Sequence, residues 1–203
     1  PDTFVVGMLG RLGPDRGQAT LIKAAAGLMK TLRPGYPILF VIGAEEDPFL
    51  EKEEGNAYIE ELRVLAAQLQ IQDQVLFFRP HENTPEILRA IDLFVMPSRQ
   101  ETFAFTVLEA MAMECPVILA RGITAEELVD NEKYGLLVRP EDSFDLQHQI
   151  RHLIDHKEKR KDLGRRARQH VLENFDDHIR IQRMLDLYDK ILRRREPHPF
   201  SGV

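Results

Sequence analysis

Short runs of apolar residues alternate with amphipathic segments along most of the chain, and this alternation limits the possible folds more than any other feature. Strands that are buried on both faces of a parallel sheet appear in the sequence as continuous apolar runs, without polar residues at every second position. Six runs are of this kind: Phe4–Leu9, Ile38–Ile42, Val75–Phe78, Leu93–Met96, Val117–Leu119 and Leu136–Val138. A strand followed by a helix, repeated in this way, predicts right-handed crossovers and an open, doubly wound, Rossmann-like α/β sheet.

The segments between these runs repeat their apolar residues at intervals of three and four positions, which predicts helices. The predicted helices are Gln18–Leu32, Ala57–Gln70, Pro85–Ala90, Thr106–Met113, Ala125–Asn131 and Phe144–Asp155. From about residue 155 to Arg195 the pattern predicts a helical tail of two or three helices, broken near Gly164 and again at Asn174–Asp177. One domain over residues 1–195 therefore fits best, with 196–203 as a tail or linker. Because a strand begins almost at once, we expect the domain to be part of a longer protein.

Composition argues against several classes of function. The formal net charge of −6 offers no global attraction for nucleic acid or for an anionic membrane. The basic clusters late in the chain alternate with acidic residues, as solvated helix faces do, and a membrane-surface contact there is the minor alternative. The single Cys115 cannot form a disulfide framework and is expected to be a buried, inert thiol. Neither a membrane-spanning helix nor a signal peptide is expected, which favours a cytoplasmic location.

The turn after the first strand is a candidate anion site, because ligands of open parallel sheets bind beyond the carboxyl ends of the strands. Its sequence, residues 10–17, matches neither the dinucleotide fingerprint nor the P-loop. It does place Arg11 and Arg16 just before a predicted helix. Guanidinium groups at a helix N-terminus suit a diphosphate. The alternative, which this segment alone slightly favours, is an ordinary turn with solvent-facing arginines.

Two carboxylates lie eight positions apart after the fourth strand, Glu101 in a loop and Glu109 in the first turns of a predicted helix. The backbone N–H groups that start this helix would face the same cavity. Two carboxylates with a helix N-terminus between them suit a nucleoside diphosphate sugar. One carboxylate can accept hydrogen bonds from the sugar hydroxyls and the other from the ribose hydroxyls, while the helix N-terminus binds phosphate. The alternative is a helix with a favourable N-terminal acid and one partly buried glutamate. Because Glu109 lies among apolar residues, a buried carboxylate there would need a partner or a ligand.

Together these segments resemble the C-terminal domain of glycosyltransferase family 4, whose members are retaining enzymes of the two-Rossmann architecture called GT-B. The resemblance runs in register from about Phe4 to Asp177. Its motifs are Gly10-Arg11-Leu12, Arg16-Gly17, Pro97-Ser98 followed by Glu101 and Glu109, Glu109-Ala110-Met111-Ala112, Cys115-Pro116-Val117-Ile118 and residues 135–142.

The resemblance implies a role for each matching residue. Arg11 and Arg16 match the basic ligands of the diphosphate, the second of which is usually a lysine. Glu101 matches the catalytic acid beside the donor sugar, and Glu109 matches the acid that binds ribose. The remaining donor contacts that it implies are Phe103, Ala104, Phe105 and Thr106 near the sugar and phosphates, and Arg79, Pro80 and His81 against the nucleobase. No metal or other cofactor is expected, because arginines and a helix N-terminus already supply positive charge.

The sequence also departs from the family pattern. Family members usually have glycine where Arg79, Ala104 and Glu114 stand. A glycine pair usually precedes the acid that matches Glu126 or Glu127, whereas this chain has only Gly122 before a β-branched residue. A β-branched residue at positive φ is costly, so we expect the loop after the fifth strand to follow a different path.

The resemblance predicts the donor-binding domain of a retaining glycosyltransferase, which transfers a sugar from a nucleotide-diphosphate sugar to an acceptor. Its partner would be an N-terminal Rossmann domain of the same protein, which binds the acceptor and closes the cleft. The domain alone should then bind donor weakly and transfer little. The first alternative is a non-catalytic binding or scaffold module, favoured by the lost glycines. The second is another GT-B enzyme, such as a sugar-nucleotide epimerase or a phosphorylase; the paired carboxylates favour a transferase instead.

Overall fold

A computed structural model describes residues 3–45, 52–78, 84–99 and 105–194 of the chain. Six parallel strands form one sheet in the order β3-β2-β1-β4-β5-β6. The strands are β1 (Phe4–Arg11), β2 (Ile38–Glu45), β3 (Val75–Phe78), β4 (Leu93–Met96), β5 (Val117–Ala120) and β6 (Leu136–Val138). The predicted doubly wound, Rossmann-like sheet is therefore confirmed, with all six strands where the apolar runs place them.

Helices cover both faces of this sheet. They are α1 (Gln18–Met29), α2 (Lys52–Gln68), α3 (Thr84–Arg89), α4 (Phe105–Ala112), α5 (Ile123–Val129), α6 (Ser143–Asp155), α7 (Lys157–Asn174) and α8 (Asp177–Arg194). Short 3₁₀ turns at Pro14–Arg16 and Gln72–Gln74 precede α1 and β3. One core cluster joins the sheet to α1, α2, α6 and Leu163 of α7, and a second joins it to α3, α4, α5 and the later part of α7.

The strand order positions the candidate site. The chain builds outward from β1 through β2 to β3, then returns to the other side of β1 to add β4, β5 and β6. β1 and β4 are consequently the neighbours at which the winding direction reverses. In open α/β sheets the crevice at this switch point, outside the carboxyl ends of the strands, is where ligands bind.

The predicted break near Gly164 is wrong, because α7 runs without interruption from Lys157 to Asn174. The glycine is needed for close packing instead: a Cβ at this position would overlap the carbonyl oxygen of Glu114. Glu114 itself has a φ of 62°, in the left-handed region. This conformation gives a physical reason for the glycine that the family pattern has at Glu114.

The last helix differs from all the others in burial. Seven apolar side chains of α8 are exposed: Ile181, Met184, Leu185, Leu187, Tyr188, Ile191 and Leu192. The predicted break at Asn174–Asp177 is confirmed, since α7 ends at Asn174 and α8 begins at Asp177. Within the described ranges, no helix is both long enough and apolar enough to cross a membrane.

Candidate functional site

The turn after β1 and the turn after β4 lie against each other, and we call this contact the β1–β4 junction (residues 12–17 with Pro97–Arg99). The two strands pair in parallel, Val6 with Leu93 and Gly7 with Phe94, so their carboxyl ends reach the same edge of the sheet. The turns are then joined by hydrogen bonds. The Arg99 N–H donates to the Asp15 carbonyl oxygen at 2.8 Å, and the Ser98 hydroxyl donates to the Arg16 carbonyl oxygen at 3.1 Å.

Gly17 is the residue that permits this contact. Its φ of 88° lies in the left-handed region, where a side chain is strained. A Cβ here would also lie 2.5 Å from the carbonyl oxygen of Pro97. Only glycine satisfies both conditions, because either a different φ or a side chain would push the two turns apart. The N-terminus of α1, which begins at Gln18, is thereby held against the end of β4.

Both candidate phosphate ligands, Arg11 and Arg16, lie at the carboxyl end of β1 or in the turn that follows it. Arg11 is the last residue of β1, and Arg16 lies in the 3₁₀ turn that precedes α1. Both residues are partly buried, and Arg16 Nε lies 3.8 Å from Asp15 Oδ1. The buried Gln18 donates its amide Nε2–H to the Arg11 carbonyl oxygen at 2.8 Å, which fixes the backbone at Arg11. The structure therefore brings the two arginines and a helix N-terminus to one edge, where helix N–H groups lack intrahelical partners.

Helix α4 starts at the same edge and carries the other described candidates. Phe105 is its first residue and is exposed, whereas Thr106 is half-buried. Glu109 is exposed, not partly buried as its apolar neighbours in the sequence suggested. The reason is helical spacing: Val107, Ala110 and Met111 face the core, and Glu109 falls on the opposite, solvated side. No burial penalty therefore requires a ligand at Glu109.

The remaining candidates lie outside the described residues. These are Arg79, Pro80 and His81 of the proposed nucleobase turn, together with Glu101, Phe103 and Ala104 before α4. Their roles stay predictions of the family resemblance.

The loop between β5 and α5 accommodates the β-branched Ile123 without a positive φ. Gly122 has an extended backbone with a φ of 173°, and α5 begins directly at Ile123. The first turn closes through the Glu126 N–H, which donates to the Gly122 carbonyl oxygen at 2.9 Å. Ile123 is therefore helical, and no positive φ is required of a β-branched residue.

A cavity of about 30 Å³ lies between α4 and α5 at the carboxyl ends of β4 and β5, and we call it the α4–α5 cleft. Its lining is mostly apolar and consists of Met96, Ser98, Val107, Leu119, Ala120, Thr124, Ala125 and Leu128. Sequence reasoning did not find this cleft.

Two further arginines at this edge are already paired with carboxylates. Arg121 follows β5, with its Nη atoms 3.6 Å from Glu126 Oε1 and 3.8 Å from Glu132 Oε1. Arg139 follows β6 and lies 2.9 Å from an Asp142 carboxylate oxygen. The pKa of Asp142 is lowered, first because the Asp145 N–H donates to its carboxylate and then because of the nearby Arg139. These side chains are largely exposed, so the pairs contribute little to stability.

A cysteine thiol and a metal centre are two other common sources of chemistry in a fold, and Cys115 is buried. Burial raises the pKa of Cys115 to about 12, so that its thiol stays protonated at neutral pH, as expected of an inert buried cysteine. Among the residues that the structure describes, no three His, Cys, Asp or Glu side chains are grouped so that they could hold a metal ion.

Comparison with known proteins identifies the family. The family model for glycosyl transferases group 1 matches residues 1–170. The chain belongs to this family. D-inositol 3-phosphate glycosyltransferase from Saccharomonospora viridis is 30% identical over 192 residues, which cover 92% of this chain and 43% of that protein. The lipopolysaccharide core biosynthesis mannosyltransferase LpsB from Rhizobium meliloti is 33% identical over 144 residues, 70% of this chain and 39% of LpsB. The chain thus spans less than half the length of these relatives.

Solved structures share the fold of this chain. Anabaena Alr3699/HepE, in a complex with UDP and glucose, superposes with a TM-score of 0.82 at 26% identity, over 93% of this chain and 49% of HepE. The C-terminal domain of the group 1 family protein LpcC from Francisella tularensis gives a TM-score of 0.74 at 24% identity, over 87% of this chain and 88% of that domain. The predicted resemblance is confirmed at the level of the family and of its GT-B domain fold.

Proposed function

We propose that this chain is the donor-binding domain of a retaining glycosyltransferase, and that it holds a nucleotide-diphosphate sugar at the β1–β4 junction. The observation that carries the proposal is the contact between the turn that holds Arg16 and the start of α1 and the turn after β4, at the switch point of the sheet. Arg11 ends β1, directly before this turn. A similar protein, HepE, has been solved with UDP and glucose bound, which supports a nucleotide sugar as the ligand class.

In this proposal the diphosphate lies against the β1–β4 junction. Arg11 and Arg16 donate charge-assisted hydrogen bonds to phosphate oxygens, and the N-termini of α1 and α4 add the positive ends of their dipoles. Negative charge grows on the diphosphate as the bond to the sugar breaks. Groups already fixed around the phosphates stabilise that charge without reorganisation, which is the largest contribution that such a domain can make. No metal or other cofactor is required, because these groups supply the positive charge.

The rest of the donor extends from the diphosphate in two directions. Glu109, on the exposed side of α4, accepts hydrogen bonds from the ribose hydroxyls. The turn Arg79–His81 contacts the nucleobase. In the other direction, Glu101 lies beside the transferred sugar as the catalytic carboxylate, with Phe103 to Thr106 around the sugar and phosphates. The acceptor hydroxyl attacks the sugar on the face from which the diphosphate leaves, so that the configuration is retained.

The acceptor is held by a second domain of the full-length protein. The chain covers 43% of the D-inositol 3-phosphate glycosyltransferase it matches, which leaves room for an N-terminal Rossmann domain of similar size. Closing that domain over the β1–β4 junction excludes water and brings acceptor and donor together. The chain alone therefore binds donor weakly and transfers little.

Changing the two carboxylates separately tests these roles in the full-length protein. Glu109→Gln should raise the donor KM and weaken nucleotide and sugar nucleotide alike, because ribose contacts are the same in ground and transition states. Glu101→Gln should lower kcat and leave the affinity for free nucleotide nearly intact. Calorimetry and product analysis measure both. The reverse pattern would exchange the two roles, and no effect on binding or transfer in either variant would instead indicate a non-catalytic module.

A further inference from the structure

Two buried polar side chains lie at the β1–β4 junction. In the part of the chain that the structure describes, the polar side chains that are buried are Gln18, at 1% exposure, and Ser98, at 8%. Gln18 donates from Nε2 to the carbonyl oxygen of Arg11 at 2.8 Å. Ser98 donates from its hydroxyl to the carbonyl oxygen of Arg16 at 3.1 Å. Each buried polar side chain therefore holds the main chain of one of the two proposed phosphate ligands.

Gln18 also joins the two ends of the turn after β1. Arg11 is the last residue of β1, and Gln18 is the first residue of α1. Between them, the Arg16 N–H donates to the Gly13 carbonyl oxygen at 3.0 Å and closes the 3₁₀ turn. The Gln18 bond then ties the main chain of Arg11 to the N-terminus of α1. These groups are the ones that the proposed function places around the diphosphate.

Stability alone does not favour a glutamine at this position. The other polar atom of its amide, Oε1, is buried and has no hydrogen-bond partner. Burying a polar atom without a partner is unfavourable, whereas an apolar side chain of similar shape avoids that penalty. The hydrogen bond that Nε2 donates to the Arg11 carbonyl oxygen is therefore the property that distinguishes glutamine from an apolar residue here.

A fixed main chain at Arg11 matters for an anionic ligand. Arginine has a long side chain with many rotamers, and ordering it on binding costs free energy. Fixing the main chain from which the guanidinium extends limits the positions that this group can reach. Binding groups that are supported in this way are held closer to their productive geometry.

We propose that Gln18 is a positioning residue for the diphosphate. From the first position of α1 it holds the Arg11 carbonyl oxygen, and so directs the Arg11 guanidinium to the phosphates beside Arg16 and the helix N-terminus. Ser98 holds Arg16 in the corresponding way from the turn after β4. The inference rests on the proposed function, because it concerns the same phosphate site.

Gln18→Met tests the proposal in the full-length protein. Methionine keeps the length of the side chain and removes both the Nε2 donor and the unpaired Oε1. We expect the affinity for UDP, measured by calorimetry, to fall about fivefold, the equivalent of one net hydrogen bond. The affinity for uridine should stay the same, because the nucleoside has no phosphate. The melting temperature should stay close to that of the wild type, since the lost bond is offset by removal of the unpaired oxygen.

Two results of this titration would overturn the proposal. One is an unchanged affinity for UDP in Gln18→Met. The other is an equal loss for UDP and uridine, which a general disturbance of the fold would cause. If the wild type itself binds neither UDP, GDP nor ADP, the proposed function fails together with this inference. UDP affinity that is retained in both proteins removes only the role of Gln18.

A double-mutant cycle shows whether Gln18 acts through Arg11. In the background of Arg11→Ala, Gln18→Met should weaken UDP little further, because the guanidinium that it positions is absent. Additive losses would contradict the proposal. Thr31→Val is the matched control, since Thr31 donates its hydroxyl to the Leu28 carbonyl oxygen at the other end of α1. It should leave the UDP affinity unchanged, and a loss equal to that of Gln18→Met would count against the assignment.

Gln18→Glu gives an independent test through pH, and it applies also if Gln18→Met does not fold. An ionised carboxylate cannot donate to the Arg11 carbonyl oxygen, whereas a protonated carboxyl can. Burial raises the pKa of a carboxyl, so that it gains its proton at a higher pH than usual. The UDP affinity of Gln18→Glu, divided by that of the wild type at the same pH, should therefore rise between about pH 8 and pH 5. A constant ratio would contradict the proposal.

Discussion

The β1–β4 junction and the α4–α5 cleft lie side by side at one edge of one sheet, yet they are built in opposite ways. The junction is held mainly by its backbone: Gly17 has a left-handed φ and lies close to the Pro97 carbonyl, and two hydrogen bonds join the turns. The cleft is a gap between two helices that is lined mostly by apolar side chains, and Gly122, which precedes α5, has nothing within 4 Å of its missing Cβ. Backbone constraint suits a polar ligand held at fixed distances, whereas an apolar wall tolerates variation in what it binds.

The largest effect that this comparison predicts is on stability. Gly17→Ala combines a strained left-handed φ with a clash at Pro97, and should lower the free energy of unfolding by about 3 kcal/mol or more. Gly122→Ala, at an extended φ and in open space, should change it by less than about 1 kcal/mol. Urea unfolding of both variants measures the difference. Similar losses in the two variants would mean that the two halves of the edge are equally constrained.

A smaller effect is expected where the two regions meet. Ser98→Ala removes the hydroxyl that donates to the Arg16 carbonyl oxygen and should cost about 1 kcal/mol of stability, the net value of one hydrogen bond. Because the loss loosens the turn that carries Arg16, the affinity for nucleoside diphosphate should fall too. Ser143→Ala serves as the control, since it removes the same hydroxyl from a residue in the first turn of α6, which is outside the β1–β4 junction. Unchanged stability and affinity in Ser98→Ala would show that the bond does not hold the turns together.

The same contrast explains which features could be predicted from the sequence. Strand positions and sheet type follow from continuous apolar runs. The pair Arg16-Gly17 could be recognised because the left-handed φ of Gly17 and its contact with Pro97 allow only glycine at that position. Gly164 misled the prediction, since glycine ends helices and also permits close packing, and only the contact with Glu114 separates the two uses. The exposure of Glu109 depends on the rotation of α4. The cleft depends on how far apart two helices pack, which no local pattern encodes.

The proposed function depends on the binding of a nucleoside diphosphate at the β1–β4 junction. The full-length protein is titrated calorimetrically with UDP, GDP and ADP, and with the nucleoside of each as a reference. The same titrations are made with Arg11→Ala and with a control at another strand end of the same edge, Arg121→Ala. The account predicts that at least one diphosphate binds far more tightly than its nucleoside. It also predicts that Arg11→Ala costs about 1.5–3 kcal/mol of that affinity, the scale of a hydrogen bond to a charged group, whereas Arg121→Ala costs little. Binding of no diphosphate, or equal affinity in the wild type and Arg11→Ala, would contradict it.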